Sequence, residues 1–482
     1  MRLSNLLTEM EAQYDKTIAE LEISGIVYDS RKVIPGCLFV CLAGGAADGH
    51  KFAVSAQQKG AAAVVAEHLT DSTLAHILVK DTRRAMFELS SAWFEHPERK
   101  LKFVGVTGTN GKTSTVYYIK SILDSLGKKT GLIGTVANMI GDKTLPSNAT
   151  TPEPYALCEL LAQMVLEQVE YVVMEVSSHS IAQKRVCGIT FDTAVFTNLS
   201  QDHLDYHKTM ENYRETKFRL FEHAKSAVIN IDDETGKQFE KRVECKKYTY
   251  STIFNSADFV AKDIKIKPSG VSFLAVTLGG IGKVKVASSG GFTVYNALAA
   301  IGAVCALGFA FESLLPAVSS LCSVPGRAQI ISGDRPYTVM IDYAHTPDGL
   351  ENIISTVKSY SKNRVITLFG CGGDRDRLKR PIMGETAARL SDYVIVTSDN
   401  PRSEDPMAII NEILPGVKKC RTPFTVIENR REAIKRAIAM AQPDDIIILA
   451  GKGHEKYQIL NTGTIDFDEE KIALEIMDEL NK

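Results

Sequence analysis

No stretch of this chain limits its fold as strongly as residues 105–114, which read GVTGTNGKTS. They follow an apolar, strand-like run at 101–106 and precede a helical pattern at 113–126. A glycine-rich loop between a strand and a helix binds phosphate, because the helix N-terminus offers unpaired backbone N–H groups. The segment therefore predicts an α/β nucleotide-binding domain.

Individual residues of this loop have the properties that phosphate binding requires. Gly108 and Gly111 permit close approach of the backbone. Lys112 can reach the β- and γ-phosphates, and Thr113 can place a hydroxyl on a magnesium ion. A strict P-loop has a glycine six residues before the lysine, where this chain has Val106, so the loop is a variant. The alternative, a glycine-rich turn with a chance lysine, is disfavoured by the strand and helix around it.

The bulk composition is that of a globular protein without nucleic-acid or membrane partners. At 482 residues, the chain is expected to form about three domains. Hydrophobic residues make up 44%, charged residues 24%, and the formal net charge is -2. No apolar run approaches the length of a membrane span, and acidic residues soon after Met1 argue against a signal peptide. The nine cysteines are scattered, which indicates reduced thiols in a cytoplasmic protein.

Alternating strand and helix patterns predict an α/β protein with domains at 1–98, 99–330 and 331–482 and a hinge near 96–100. Short β-branched or apolar runs in the second and third domains are typical of buried parallel sheets. Residues 260–288 instead predict antiparallel hairpins with a Gly279–Gly280 turn. The predicted strands are 26–29, 38–41, 62–66, 171–175, 193–198, 226–230, 338–342, 364–369, 393–397 and 446–450, and the predicted helices include 51–59, 84–94 and 293–307.

Polar residues near the ends of the central strands are further candidates. Glu175 ends the strand at 171–175, and a carboxylate there is well placed for magnesium beside a P-loop. His203 follows the strand that ends at Asn198, where it is either a metal contact or a loop cap. Lys217 lies in the helical pattern ENYRETKFRLF, where a lysine is usually a solvated surface residue. Spacing alone therefore leaves the roles of His203 and Lys217 open.

Seven motifs occur in a fixed order: GTNGKT, EVSSH, TNLSQDHLDYH, ENYRETKFRLF, YNALAA, PGR and DYAHTP. This set resembles the Mur ligases of peptidoglycan synthesis over nearly the whole chain. The resemblance implies a UDP-MurNAc-binding N-terminal domain, a central P-loop parallel-sheet ATPase domain and a C-terminal Rossmann-like domain that binds the amino acid. It also implies an enzyme that activates a carboxylate with ATP as an acyl phosphate, which an amino group then attacks.

The resemblance assigns roles to the central candidates. Lys217 matches the family lysine that reacts with carbon dioxide to form a carbamate, and this reaction requires a neutral amine with a lowered pKa. The implied catalytic residues are Lys112, Lys217, Glu175 and His203, and the implied Mg²⁺ contacts are Thr113, Glu175, His203 and carbamylated Lys217. The implied ATP contacts are Gly108, Thr109, Asn110, Gly111, Lys112, Thr113, Ser114, Asn296, Arg327, Asp342 and His345.

The motif DNPR at 399–402 indicates which amino acid is joined. Arg402 carries a planar guanidinium that can bind a carboxylate through two hydrogen bonds, and Pro401 stiffens its loop. This motif resembles the family members that add meso-diaminopimelate to UDP-MurNAc-L-Ala-D-Glu, whereas lysine-adding members lack the arginine. Diaminopimelate carries a second carboxylate that needs a cationic partner. The implied diaminopimelate contacts are Arg375, Asp399, Asn400, Arg402, Gly451 and Glu455.

The resemblance also implies a site for UDP-MurNAc-L-Ala-D-Glu. Ser30, in DSRKV, matches the pocket for the uridine diphosphate. Hydroxyl, amide and guanidinium groups suit its phosphate, amide and carboxylate groups, although several of the hydroxyls could instead cap helices. The implied contacts are Ser30, Thr150, Thr151, Ser177, Gln183 and Arg185.

Three alternatives stay open. The first is an L-lysine-adding ligase of the same type. The second is a folylpolyglutamate-synthase-like amide ligase, which normally lacks a uridine-nucleotide domain like the segment with DSRKV that precedes the loop. The third is a P-loop switch or scaffold protein, against which Lys112, Glu175 and Lys217 argue. We expect a cytoplasmic, ATP- and magnesium-dependent monomer.

Overall fold

The computed structural model describes residues 1–44 and 48–480, which form two compact units. Both units contain parallel strands that alternate with helices, which confirms the predicted α/β class. The predicted domain boundaries after residues 98 and 330 stay a prediction, because these units join segments from more than one predicted domain. The first unit comprises Met1–Gly105, Lys128–Asp192 and His223–Lys225, and the second comprises Val106–Gly127, Thr193–Glu222 and Ser226–Lys482.

The first unit begins with a four-stranded parallel sheet in chain order. Its first strand ends two residues earlier than predicted, because the Asp29 carboxylate accepts the N–H of Arg31 (3.0 Å) and caps a 3₁₀ helix, Ser30–Lys32. The predicted helix at 51–59 is a 3₁₀ turn, Gly49–Phe52, followed by an α-helix. The strands are Ile26–Val27, Leu38–Val40, Ala63–Ala66 and Ala75–Leu78, and the helices are Leu3–Leu7, Ala53–Gln58 and Thr82–Trp93.

The predicted hinge near 96–100 coincides with a change of direction after helix Thr82–Trp93. Glu95 and His96 adopt left-handed φ angles of 60° and 54°, and the 3₁₀ helix Pro97–Lys100 follows. Strand Lys102–Thr107 then carries the chain from the first unit into the second. The first unit also contains neighbouring strands in the order Tyr171–Glu175, Thr130–Ile133, Asn138–Ile140 and Lys143–Leu145, and helices Pro154–Leu166 and Ser178–Ala182.

The second unit contains the predicted phosphate-binding loop and a run of six neighbouring strands. The first four are parallel, and the last two are antiparallel, so hairpins form at 259–286 as predicted. Thr277 pairs with Gly280, which places the turn at 278–279, one residue before its predicted position. The strands are Thr193–Phe196, Ser226–Asn230, Lys246–Ser251, Phe259–Lys267, Gly270–Thr277 and Gly280–Val286. The helices are Lys112–Ser125, Leu204–His207, Met210–Phe218, Glu234–Arg242, Gly291–Ala306 and Phe311–Val318.

The last part of the second unit is a sheet with helices on both faces, as predicted for a Rossmann-like domain. Met340 and Ile448 face a core that includes residues of helices Pro347–Tyr360, Lys379–Leu390 and Pro406–Val417. The alternate residues Ile341 and Leu449 face a core with helices Arg430–Ala439 and Glu469–Leu480. The strand order is Gln329–Ile330, Thr338–Asp342, Ile446–Ala450, Val365–Phe369, Tyr393–Val396 and Phe424–Val426, and a separate hairpin joins Tyr457–Leu460 to Gly463–Asp466.

Helix Gly291–Ala306 has 16 residues, whereas a helix that crosses a bilayer needs about 20 apolar residues. Across residues 1–44 and 48–480, no helix combines the length and the apolar character that a membrane crossing requires.

Helices Lys379–Leu390 and Pro406–Val417 approach each other closely at Gly416, where an added Cβ would lie 1.8 Å from the carbonyl oxygen of Pro381. We predict that Gly416→Ala lowers the free energy of unfolding by about 1–3 kcal/mol, because the methyl group forces the two backbones apart. Gly291→Ala is the control, since a Cβ there meets no described atom within 4 Å. Urea unfolding measures both variants, and equal stabilities would contradict the predicted clash.

Candidate active site

The loop between strand Lys102–Thr107 and helix Lys112–Ser125 requires both of its glycines. Gly108 has a φ of 147°, and a Cβ there would lie 1.8 Å from Thr197 Oγ1. Gly111 has a φ of 86°, and its Cβ would lie 2.3 Å from Asn296 Oδ1. Residues with side chains rarely adopt these φ angles. The fold thus brings Asn296, a predicted ATP contact, against the phosphate-binding loop.

Residues that follow strand Thr193–Phe196 hold the loop in place. The N–H of Thr109 donates to the carbonyl of Asn198 (2.8 Å), and the N–H of Asn110 donates to its side-chain oxygen (2.9 Å). Thr197 Oγ1 and Asn198 Nδ2 donate to the carbonyl of Asn110 at 2.6 and 3.1 Å. The loop conformation is therefore fixed by the neighbouring strand end.

Lys112 and Lys217 both donate to the carbonyl of Gly108, at 3.0 and 2.8 Å. Lys217 is buried, with 1% of the residue exposed, and its Nζ lies 4.5 Å from the ring centroid of Tyr213. Burial lowers the pKa of Lys217 well below its ordinary value, and the charge of Lys112 lowers it further. The usual interpretation of Lys217 as a solvated surface residue is therefore wrong.

Arg327 contacts the first turn of helix Lys112–Ser125, and Asp342 contacts the residue that follows Arg327. Arg327 Nη2 donates to Thr113 Oγ1 (2.9 Å), and its guanidinium carbon lies 4.4 Å from the ring centroid of Tyr343. The carboxylate of Asp342 accepts the N–H groups of Ala328 (2.7 Å) and Ala344 (2.8 Å). Burial raises the pKa of Asp342, although these contacts and Arg327 oppose the shift. Asp342 thus fixes the backbone beside Arg327.

A second buried carboxylate, Asp202, lies beside His203 and Lys379. Its oxygens are 3.4 Å from His203 Nε2 and 3.8 Å from Lys379 Nζ. Burial opposes ionisation, but the charges of His203 and Lys379 outweigh it and lower the pKa of Asp202. His345 donates from Nδ1 to the carbonyl of Tyr343 (2.7 Å), and burial lowers its pKa to about 4. At neutral pH the His345 ring is therefore uncharged.

In the first unit, Glu175 is buried at the end of its strand. Its carboxylate accepts the N–H of Thr135 (2.7 Å) and the hydroxyl of Thr135 (3.1 Å). The Thr135 and Thr150 hydroxyls lie 3.0 Å apart, and Thr151 Oγ1 donates to the Glu175 carbonyl (2.8 Å). Two predicted donor-substrate residues, Thr150 and Thr151, thus surround the end of the Glu175 strand.

Arg185 contacts two of the other predicted donor-substrate residues. It donates to the carbonyl of Thr151 (2.8 Å) and to Gln183 Oε1 (2.5 and 3.0 Å), and it forms an ion pair with Glu153 (2.7 Å). Ser177 also contacts this group, because its N–H donates to Thr151 Oγ1 (3.2 Å), while its hydroxyl accepts the N–H of Ser180 (3.1 Å) and caps helix Ser178–Ala182. The helix-cap alternative therefore holds for Ser177.

The described hydrogen bond of Ser30 is made by its backbone. It begins the 3₁₀ helix Ser30–Lys32, and its carbonyl accepts a hydrogen bond from Lys59 Nζ (2.7 Å). Its predicted contact with the uridine diphosphate stays a prediction.

The DNPR segment is held against the loop that contains Arg375. Arg402 has a left-handed φ of 54°, and its Nη1 donates to the carbonyl of Gly373 (2.7 Å). Burial lowers the pKa of Arg402, and the nearby Arg375 charge adds to this shift. Arg375 itself is exposed and donates to the carbonyl of Asp374 (3.1 Å). Two predicted diaminopimelate contacts are thus neighbours.

The other predicted diaminopimelate contacts form a polar cluster. Asn400 Nδ2 donates to Glu455 Oε2 (2.8 Å). Lys452 Nζ donates to Asn400 Oδ1 (3.2 Å) and Glu455 Oε2 (3.1 Å). Gly451 has a φ of 114°, and a Cβ there would lie 2.5 Å from Asp399 Oδ2. The structure therefore brings together Asp399, Asn400, Gly451 and Glu455.

Sequence reasoning missed several polar side chains of these clusters. Lys452 lies in the motif AGKGHE between two predicted contacts, and Asp202 directly precedes His203, so both had a local signal. Lys379 has no such signal. Asp348 directly follows the motif DYAHTP, but Asn110, whose Nδ2 donates to it (2.6 Å), lies 238 residues away in the chain.

The close contact at Gly111 generates a prediction. Gly111→Ala should weaken ADP binding by about tenfold or more, because its Cβ would displace Asn296 and the loop backbone. Gly127→Ala is a matched control, since Gly127 also has a positive φ (73°), but a Cβ there meets no described atom within 4 Å. Isothermal titration with ADP measures both variants. Equally weakened ADP binding in both variants would mean that strain in the helix, rather than the clash in the loop, causes the effect.

Comparisons with known proteins identify the family of this chain. Three family models match the chain: "Mur ligase family, catalytic domain" at residues 22–93, "Mur ligase middle domain" at 106–304, and "Mur ligase, glutamate ligase domain" at 326–453. The middle-domain match contains the phosphate-binding loop and Lys217. The third match contains Arg327 and Arg402 and ends at residue 453, before Glu455.

Relatives that match the chain over its whole length belong to the same family. The chain is similar to the UDP-N-acetylmuramoyl-L-alanyl-D-glutamate--2,6-diaminopimelate ligase 1 of Clostridium acetobutylicum, with 44% identity over 100% of both chains. It is 47% identical to the ligase of the corresponding name from Caldanaerobacter subterraneus subsp. tengcongensis, again over 100% of both. A solved structure of a UDP-N-acetylmuramoyl-L-alanyl-D-glutamate--2,6-diaminopimelate ligase superposes with a TM-score of 0.69 and 34% identity, over 100% of this chain and 99% of that one. The chain therefore belongs to the Mur ligase family.

Proposed function

We propose that this protein is an ATP-dependent ligase that joins 2,6-diaminopimelate to UDP-N-acetylmuramoyl-L-alanyl-D-glutamate in the synthesis of the peptidoglycan precursor. The observation that carries the proposal is the cluster of Asp399, Asn400, Arg402 and Glu455 in the same compact unit as the phosphate-binding loop. The full-length likeness to ligases of that name supports it. Lysine-adding and folate-type ligases become the alternatives that the experiment below tests.

ATP binding is assigned to the loop at 108–114. Its backbone and Lys112 would contact the phosphates, and Arg327 would add a second cation beside Thr113. These charges would offset the repulsion between the γ-phosphate and the substrate carboxylate that attacks it. The carboxylate oxygen forms a bond to phosphorus, ADP leaves, and the amino group of diaminopimelate then displaces phosphate from the acyl carbon.

Magnesium and a carbamate on Lys217 are finer parts of the proposal. The Thr113 hydroxyl is a hard oxygen donor of the kind that Mg²⁺ prefers, and we assign it to the ion together with His203 and the carbamate of Lys217, which lie in the same compact unit. When bound, the ion would neutralise phosphate charge. The burial of Lys217 and its closeness to Lys112 favour the neutral amine that adds to carbon dioxide, with loss of one proton.

The donor substrate is assigned to the first unit. Arg185 would bind a carboxylate of the peptide in place of Glu153, with Gln183, Thr150 and Thr151 around it. Ser30 and its 3₁₀ helix are assigned to the uridine diphosphate. We assign the UDP-MurNAc part of the donor to residues 1–98, ATP to 99–330 and the amino acid to 331–482. The family models at 22–93 and 106–304 lie within the first two segments, and the model at 326–453 begins shortly before the third.

The acceptor site favours an amino acid with charges at both ends. Glu455 and Asp399 would bind the distal ammonium, while Arg402 and Arg375 would bind the distal carboxylate. L-lysine has no distal carboxylate, so these two guanidinium groups would face its ammonium. We extend the proposal to the meso isomer, to a monomeric cytoplasmic enzyme, and to a role in cell shape and division through the cell wall.

The first experiment measures phosphate release from ATP in the presence of UDP-MurNAc-L-Ala-D-Glu. We expect release with meso-diaminopimelate and little with L-lysine, because Arg402 needs a carboxylate partner. Release with lysine at the same rate would keep the ligase but reject the assignment of Arg402. Absence of release with both would reject the proposed reaction and favour the folate-type or non-catalytic alternatives.

Lys217→Ala tests the carbamate. The rate should fall by about a hundredfold or more, because a charge-stabilising group beside the phosphates is lost. Added formate or acetate should restore part of the rate by supplying a small carboxylate at the vacated position. Lys241→Ala, at an exposed lysine, is the control. A rate at the wild-type level in Lys217→Ala would contradict the carbamate.

A further inference from the structure

Two loops of the second unit, at 372–375 and 399–404, carry Arg375 and Arg402. Each loop donates hydrogen bonds to the other, through backbone N–H groups or through side chains. The joining bonds run from Gly373 N–H to Asn400 O (2.9 Å), from Asp374 N–H to Glu404 Oε1 (2.6 Å), from Arg402 Nη1 to Gly373 O (2.7 Å) and from Ser403 Oγ to Asp374 Oδ1 (2.6 Å). A shift of either loop would therefore move the arginine of the other.

Arg380 lies beneath both loops, at the start of helix Lys379–Leu390, and its side chain is 0% exposed. Its guanidinium binds both oxygens of Glu404, at 2.9 and 2.7 Å, and reaches the carbonyl of Gly372 (3.3 Å). It also binds Glu412 Oε2 (2.7 Å) on helix Pro406–Val417. One planar group thus connects the Arg375 loop, the Arg402 loop and a helix of the domain core.

These contacts also control where the negative charge lies. The hydrogen bond from Arg380 lowers the pKa of Glu404 to about 2, so this carboxylate is ionised at neutral pH. Without the buried guanidinium, Glu404 would be a carboxylate two residues from Arg402 and without its main partner. Arg402 could then pair with the protein instead of with the substrate.

We propose that Arg380 is a positioning residue for amino-acid selection. Its guanidinium fixes the separation of the two loops and keeps Glu404 away from Arg402, so that Arg402 and Arg375 stay available for the distal carboxylate of the acceptor. The inference rests on the proposed function, since it concerns the selection of diaminopimelate over lysine. It assigns no contact between Arg380 and the substrate.

The test compares Arg380→Lys, Glu404→Gln and Glu412→Gln in the full-length enzyme. Lysine keeps the positive charge but lacks the planar fork, and each glutamine keeps the shape but loses one charge. Arg364→Lys is the control, because Arg364 donates to both carboxylate oxygens of Asp445 in the same compact unit, at the opposite end of the strands. Arg402→Ala shows the effect of losing the carboxylate partner itself.

Initial rates give kcat, the KM for meso-diaminopimelate, the KM for ATP and the rate ratio of meso-diaminopimelate to L-lysine. We expect Arg380→Lys to raise the KM for diaminopimelate by about tenfold to a hundredfold, to lower the ratio and to leave the KM for ATP unchanged, because displaced binding groups lose affinity steeply. The glutamine variants should show the same pattern more weakly. Arg364→Lys should change stability without changing either KM.

Several outcomes would overturn the inference. An unchanged KM for diaminopimelate in folded Arg380→Lys or Glu404→Gln would do so, as would equal changes in both KM values. Loss of folded protein in all three variants, with Arg364→Lys folded, would show that the cluster serves stability only. A wild-type enzyme that does not respond to diaminopimelate would instead reject the proposed function.

Discussion

The carbonyl oxygen of Gly108 is the point on which the active site depends, because Lys112 and Lys217 both donate to it. It can serve both lysines only because Gly108 adopts a φ of 147° with its Cα against Thr197. Burial lowers the pKa of Lys217, and the charge of the neighbouring Lys112 lowers it further, which favours the neutral amine. The geometry of the phosphate-binding loop and the reactivity of the buried amine therefore have one structural origin.

The same compact unit connects the loop with the segment that we assign to the acceptor. Asn110 contacts Asp348, Asp202 lies near Lys379, and Arg327 binds Thr113. Each of these polar contacts joins residues far apart in the chain. An acyl phosphate is hydrolysed unless the amine reaches it in a water-poor site. Buried polar contacts between the two segments are consistent with such a site.

Much of the fold could be predicted from local patterns. The strands Tyr171–Glu175, Ser226–Asn230, Thr338–Asp342 and Ile446–Ala450 have the predicted bounds, because each is a short apolar run buried on both faces. The predictions near Asp29 and at 51–59 differ from the structure because carboxylate caps favour 3₁₀ helices there. Motif identity also predicted the phosphate-binding loop and the DNPR segment as sites, since their residue types are needed wherever that chemistry occurs.

Local sequence could not show how these groups are arranged. Helical periodicity placed Lys217 on a surface, and only the packing of its helix against the loop buries it beside Lys112. In the sequence, nothing distinguishes Arg380 from other basic residues. Only in the folded structure do two helices and two loops bury it with Glu404 and Glu412. Local sequence therefore determines which chemical groups are present and where the strands form. The charge state of Lys217, the availability of Arg402 and the surroundings of Asp202 arise from contacts across long stretches of chain, because burial and neighbouring charges exist only after folding.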